Sequence, residues 1–232
     1  MNIIWLGHGS FRIEVADQIL LIDPWLNGNP MLSEDQHAAA IAGATHILVT
    51  HGHFDHTTDI VEISKRTGAP VSGMYELAMA LHTQGAVEGA AFNMGGTIAL
   101  GEAVSASMVP ACHSSSMEID GTRRAMGREC GFVLRGDDHC VYISGDTGLM
   151  ADMAWIAEYY APDIGILSAG GHYTMDMEMA AFAARTYFDF KTVIPCHYRT
   201  FPALAQDASA LAAGVPDGCR VIEPEVMRPI AL

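Results

Sequence analysis

The sequence predicts one α/β (α+β) domain, residues 1–232, built on two mixed β-sheets with helices on their outer faces. Three observations carry this. Short strand-like segments separated by tight turns open the chain, strands and amphipathic helices alternate in its last third, and no linker, repeat or low-complexity tract divides its 232 residues.

Taken in order, residues 2–6, 11–15 and 19–22 are apolar, β-prone runs separated by Gly-rich or Asp-containing turns, the pattern of an antiparallel meander. Asp23-Pro24-Trp25 opens a turn-rich loop that runs to Pro30. Residues 38–43 read as a short helical turn and residues 47–50 as a buried strand. Residues 58–66 place Ile60, Val61 and Ile63 at helical spacing and end at Gly68, so a helix is expected there. A strand over 70–73 and a helix over 75–82 follow. Residues 97–100 and 103–110 form an expected hairpin around Gly101-Glu102. Residues 114–129 show no apolar periodicity and carry Arg123, Arg124 and Arg128, so the expectation is an exposed, mobile loop. A second hairpin joins 131–135 to 140–144. Helices over 151–160, 175–188 and 203–213 then alternate with strands over 164–167, 192–196 and 220–222.

Composition narrows the function. The formal net charge is −15, and Lys65 and Lys191 are the only lysines among twelve basic residues. A polynucleotide binder needs the opposite sign over an extended face, so nucleic acid is not an expected partner. Five cysteines without a Cys-x-x-Cys pair fit a reducing, cytoplasmic setting rather than a disulfide framework. Cys112 and Cys196 each precede a histidine and are expected to be small buried hydrophobes. The N-terminus lacks a basic region and cleavage site, and no apolar run approaches a membrane span. Abundant Ala and Met with few charges hint at apolar surface buried between subunits, so a homo-oligomer is expected, and with polynucleotides disfavoured by charge the expected substrate is a small molecule.

The densest chemistry lies at Thr50-His51-Gly52-His53-Phe54-Asp55-His56, where a β-branched run gives way to a polar turn. Alternate side chains of an extended segment share a face, so His51 and His53 can grip one ion, while Asp55 and His56 reach a second as the backbone turns. Imidazole nitrogen and carboxylate oxygen suit zinc, manganese, iron or nickel. His113, Asp146 and His197 sit where predicted strands end, and such ends can converge on one sheet edge. Taken singly, each is as readily a satisfied core histidine or a turn-capping aspartate.

Together, His-x-His-x-Asp-His, a strand-terminal His, Gly-Asp-Thr and a late strand-terminal His resemble the metallo-β-lactamase superfamily. The chain is most similar to its small metal-dependent hydrolases related to ascorbate-6-phosphate lactonase. Leu6-Gly7-His8-Gly9-Ser10-Phe11, Leu21-Ile22-Asp23-Pro24-Trp25, Gly28-Asn29-Pro30, His113-Ser114-Ser115, Gly145-Asp146-Thr147-Gly148, Gly170-Gly171-His172-Tyr173-Thr174-Met175 and His197-Tyr198-x-Thr200-Phe201-Pro202 extend the likeness. It is weakest over 71–96 and 116–129.

The resemblance implies a four-layer αββα sandwich with two divalent metal ions, zinc foremost and manganese, iron or nickel as alternatives. His51, His53 and His113 would hold the first, Asp55, His56 and His197 the second, with Asp146 bridging. It further implies a metal-bridging hydroxide that attacks a lactone, ester or phosphodiester, at a site whose net positive charge would favour an anionic substrate. His172 is the expected catalytic partner of Asp55, by polarising the scissile group or protonating the leaving group. His8, Asp23, Tyr173 and Arg199 are expected to support ligands or touch substrate, whereas His37, His46, His82 and His139 are expected to be structural. Two other functions are consistent with the motifs: a metal-dependent nuclease or phosphodiesterase, and a metal-binding regulatory protein without turnover.

Overall fold

The computed structural model describes residues 1–230 and residue 232. Its first sheet begins with β1 (Asn2–Gly7), β2 (Ser10–Val15) and β3 (Gln18–Ile22), which pair antiparallel, Ile3 opposite Ile13 and Ile13 opposite Leu20. From β3 the sheet continues parallel through β4 (His46–Val49), β5 (Val71–Met74) and β6 (Glu88–Phe92). A parallel neighbour needs a crossover, and α1 (His37–Ile41), α2 (Phe54–Thr57), α3 (Ile60–Thr67) and α4 (Tyr75–Thr83) lie within those connections.

The second sheet repeats the scheme. β7 (Thr97–Ala99) pairs antiparallel with β8 (Ser105–Pro110), outside the small hairpin β9 (Ser116–Ile119) and β10 (Thr122–Ala125). β11 (Cys130–Gly136) pairs antiparallel with β8 and with β12 (His139–Ile143). β13 (Ile164–Ser168), β14 (Thr192–Cys196) and β15 (Arg220–Val221) then add in parallel, connected through α5 (Met153–Tyr160), α6 (Met177–Tyr187) and α7 (Ser209–Gly214). One buried apolar cluster unites the two sheets: Ile13, Leu48 and Val71 of the first join Phe132, Val141 and Ile166 of the second. Phe92 and Phe132 stack across it at 6.3 Å. This is the expected αββα sandwich, with the core between the sheets.

Helix ends follow the local chemistry. α3 buries Ile60 and Ile63, and its C-cap Gly68 adopts φ 79° while its N–H donates to Ser64 O. α6 begins where Asp176 accepts a hydrogen bond from Met179 N at 2.7 Å, and packs through Ala180, Ala181, Ala183 and Ala184. Among the described residues no helix is long and apolar enough to cross a membrane.

Three expectations are corrected. The loop expected over 114–129 contains the β9–β10 hairpin, because Asp120 (φ 52°) and Gly121 (φ 71°) make a tight turn with two left-handed residues. Met117 and Ile119 pack against the core, which holds the hairpin on the body of the protein. The helix expected over 203–213 shortens to Ser209–Gly214, with Asp207 accepting from Ser209 N at its start. Cys112 is exposed rather than buried, since it lies beyond the end of β8, whereas Cys196 is buried as expected. Two strands had no sequence expectation: β6 and the C-terminal Pro229–Ile230, which pairs with β1.

Candidate metal centre

The seven residues of the sequence pattern meet at one edge of the sandwich, each delivered just past the end of a strand or by the helix that follows one. β4 ends at Val49, and the extended residues after it present His51 and His53. α2 turns the chain at once and presents Asp55 and His56. His113 follows β8, Asp146 follows β12, and His197 follows β14 in a left-handed conformation, φ 56°. Its N–H donates to His8 O at 3.0 Å.

Donor atoms gather into overlapping groups. His51, His53 and His113 offer ring nitrogens within 4.8 Å of one another; His8, Asp55, His56 and His197 offer one ligand atom each within the same distance, an oxygen from Asp55; and Asp23, His51 and His56 form a third group that overlaps both. Asp146 lies between the groups. Its Oδ2 is 3.9 Å from His51 Nε2, 3.7 Å from His113 Nε2, 3.5 Å from His56 Nε2 and 3.0 Å from His197 Nε2. Asp55 Oδ2 is 3.5 Å from His56 Nε2 and 3.6 Å from His197 Nε2.

Each ring is aimed by its neighbours. Asp23 accepts from His56 Nδ1 at 2.7 Å and from Thr50 N at 2.8 Å, which leaves His56 Nε2 facing the two aspartates. That Nε2 is buried and has no hydrogen-bond partner among the described residues. An orphaned, buried ring nitrogen beside two carboxylates is what a divalent cation would satisfy, and the donor set of imidazoles and carboxylates fits such ions. Thr50 Oγ1 lies 3.0 Å from His51 Nδ1, directing His51 Nε2 inward. Further supports were given no role from sequence, because their partners are distant in the chain. Glu129 accepts from His113 N, Ser115 Oγ from Gly52 N, and Thr147 Oγ1 from Cys112 N.

The electrostatics divide the imidazoles. Burial, reinforced by neighbouring imidazoles, holds His51 and His53 below the ordinary histidine range, and burial likewise lowers His113. Burial also opposes charge on His56 and His197, but Asp146 and Asp55 outweigh it. His56 is raised well above its ordinary value and His197 is pushed up to about 9. Conversely, His56 and His197 hold both carboxyls far below the usual carboxylate range despite their burial. A neutral trio beside a protonated pair is poised to take up cations, with protons displaced from the pair.

A cavity of about 880 Å³ opens over these side chains, its outer wall carrying Phe54, Ser114, Met117, Arg123, Tyr173 and Phe201. The remaining expected residues separate here. His8 is fully buried and lines the cavity, whereas Asp23 is buried away from it against His56, with its carboxylate grouped beside His51 and His56. Tyr173 lines the cavity with its ring 6.5 Å from that of His197. His172 is exposed and is not among the cavity-lining residues, and Arg199 is exposed with its guanidinium over Tyr198. The structure therefore brings Tyr173, rather than its neighbour His172, to the site. His82 and His139 are tied to Val71 O and Asp163 away from it.

Residues 18–198 match the family model described as a beta-lactamase superfamily domain. The chain is 61% identical over 230 residues to a UPF0173 metal-dependent hydrolase of Roseobacter denitrificans, covering 99% of each chain. It is 56% identical over 232 residues to one from Paracoccus denitrificans, covering all of both. Among solved structures it is similar to a metallo hydrolase of the hyperthermophilic archaeon Ignicoccus hospitalis, with TM-score 0.83 and 33% identity over 100% of this chain and 98% of that one.

Proposed function

The chain belongs to the metallo-β-lactamase superfamily, among its small metal-dependent hydrolases, and on that basis we propose that it is a binuclear metal-dependent hydrolase of a small lactone, ester or phosphodiester. The observation that carries this reading is Asp146 Oδ2, placed within 3.9 Å of nitrogens from both histidine groups. His51, His53 and His113 would hold one divalent ion, Asp55, His56 and His197 the other, and Asp146 both. When bound, the ions supply Lewis acidity and a nucleophile available at neutral pH.

The chain's own residues do the rest. Asp23 and Thr50 fix the rings of His56 and His51, so the donors need little rearrangement on loading. Phe54, Met117 and Phe201 line the cavity with apolar surface, while Ser114, Ser116 and Tyr173 offer polar groups to a substrate. Tyr173, which lines the cavity, would hold the leaving oxygen or return a proton to it through its phenol. Arg123 is the one Lys or Arg side chain among the cavity-lining residues and favours substrates with an anionic group. Named hydrolases at high identity support turnover over a purely regulatory role. The acidic balance of −15 favours small substrates over polynucleotides.

The test is a panel of lactones, esters and phosphodiesters offered to protein loaded with zinc, manganese, iron or nickel. Hydrolysis that chelation abolishes and metal restores is the expected result. A folded, fully loaded protein that cleaves no member of any class would overturn the assignment.

A further inference from the structure

His8 lies in the turn between β1 and β2, far in sequence from the histidine cluster, and its side chain is completely buried. Its Nε2 is 2.8 Å from Asp55 Oδ2 and its Nδ1 is 2.8 Å from Thr200 Oγ1. The Asp55 carboxylate only accepts, so Nε2 carries the proton and donates, and Nδ1 is left to accept the Thr200 hydroxyl proton, whose other acceptors, Tyr198 O at 3.2 Å and Met31 Sδ at 3.4 Å, are farther away. With both nitrogens engaged, neither is left to ligate an ion. The carbonyl of the same residue accepts from His197 N at 3.0 Å and from Trp5 Nε1 at 2.8 Å. One residue therefore grips Asp55 through its ring and His197 through its backbone.

The surroundings leave the ring little freedom. Trp25 and Phe201 meet it edge-on at 5.4 and 5.6 Å, and the His197 ring lies 3.9 Å away. His8 takes a left-handed backbone, φ 53°, between two glycines. At Gly9 a Cβ would sit 2.9 Å from His56 Cε1, so the turn is pressed against a third member of the same group.

We infer that His8 is a positioning residue that fixes the Asp55 carboxylate against His197 and thereby sets the affinity of the second ion, without being a ligand to it. The inference rests on the two-ion reading above. It assigns different work to the two ends of the side chain: Nε2–H orients Asp55, and Thr200 selects the tautomer that places the proton there.

Two substitutions separate this from a merely structural role. His8→Gln keeps a donor near the Nε2 position. His8→Asn suits the left-handed backbone better but cannot reach Asp55. Metal-free wild type, His8→Gln, His8→Asn and Thr200→Val, each checked for folding by circular dichroism and melting, would be titrated with cobalt(II) alone. Stoichiometry and the visible cobalt spectrum are the readouts. The expected result is two ions in wild type and His8→Gln, and an affinity for the second ion lowered about 10–100-fold in His8→Asn with the first ion kept. Thr200→Val should weaken the second ion by less.

Wild-type affinity for the second ion in folded His8→Asn would overturn the inference while leaving the two-ion reading intact. Equal losses in His8→Gln and His8→Asn would also overturn it, since a ligand or a purely structural residue gains nothing from the glutamine. If His8→Asn does not fold, unchanged binding in Thr200→Val overturns it instead. One cobalt ion or none in wild type would sink the two-ion reading, and the inference with it.

Discussion

Asp23 Oδ2 and His56 Nδ1 lie 2.7 Å apart, both side chains buried, across the boundary between the turn after β3 and the helix after β4. The carboxylate also accepts from Thr50 N and Thr50 Oγ1, so one aspartate ties together the strand end, the histidine cluster and the ring of a candidate ligand. Asp23→Asn retains the size but loses an acceptor, and should weaken the second ion about 10–100-fold. A chelator-competition titration reads this directly, and wild-type affinity would remove Asp23 from the account.

Metal loading should release protons at neutral pH. Asp146 and Asp55 hold His56 protonated and push His197 up to about 9 in the metal-free protein, so a cation must displace those protons to bind. Affinity should therefore rise with pH through the neutral range, and His197 gives up its share of that rise at about 9. Calorimetry in buffers of different ionisation enthalpy measures the protons released at pH 7. Zero release would contradict the charge arrangement described for the site.

Tyr173→Phe and His172→Ala should part company. Tyr173 lines the cavity while His172 does not, so the tyrosine change should lower kcat with metal content unchanged, by about 10²-fold if the phenol transfers a proton. The histidine change should stay within about twofold. Steady-state kinetics on the first substrate identified checks both, and the reverse ranking would restore His172 to the role its sequence motif suggests.

Gly9→Ala should damage both fold and site. Its Cβ would meet His56 Cε1 at 2.9 Å in a turn enclosed by Trp25 and Phe201, so overpacking of about 1–3 kcal/mol is expected. Urea unfolding of the metal-free protein measures the loss, and no loss would mean that the turn shifts freely.

The β9–β10 hairpin should govern substrate range rather than metal binding. It brings Ser116, Met117, Glu118 and Arg123 to the cavity wall, and none of these belongs to the groups of candidate metal donors. Arg123→Gln should raise KM for anionic substrates several-fold and leave neutral ones unchanged. Metal analysis and KM values for a matched pair of substrates test this, and a uniform effect on both would exclude a charge-selective role.

Much of the architecture was legible because its signals are local. The meander of β1–β3 and the strand–helix alternation after β12 each fit within windows where apolar periodicity is sufficient. The His51–His56 cluster announced itself by density, and His113, Asp146 and His197 by their places after strands. The hairpin that follows Ser115 was hidden by its arginines, although Asp120-Gly121 is a turn signal in its own right. β6 is built on Gly89, Ala90 and Ala91, residues with little strand preference, and Gly89 is needed because a Cβ there would strike Val71 O. Thr200, although part of a quoted motif, and Glu129 were given no role because the contact of each with the site depends on chain folding, with Thr200 lying 192 residues from His8. His172 and Tyr173 share a motif, which does not tell which of them lines the cavity; Tyr173 does and His172, in a left-handed turn at φ 53°, does not.

The most direct test of the central claim is elemental analysis of protein purified without added metal, repeated after chelation and reconstitution, with hydrolysis assayed on the same samples. About two divalent ions per chain are expected, both lost with activity on chelation and both restored with it. Protein that stays folded yet binds no metal even after reconstitution would contradict that claim.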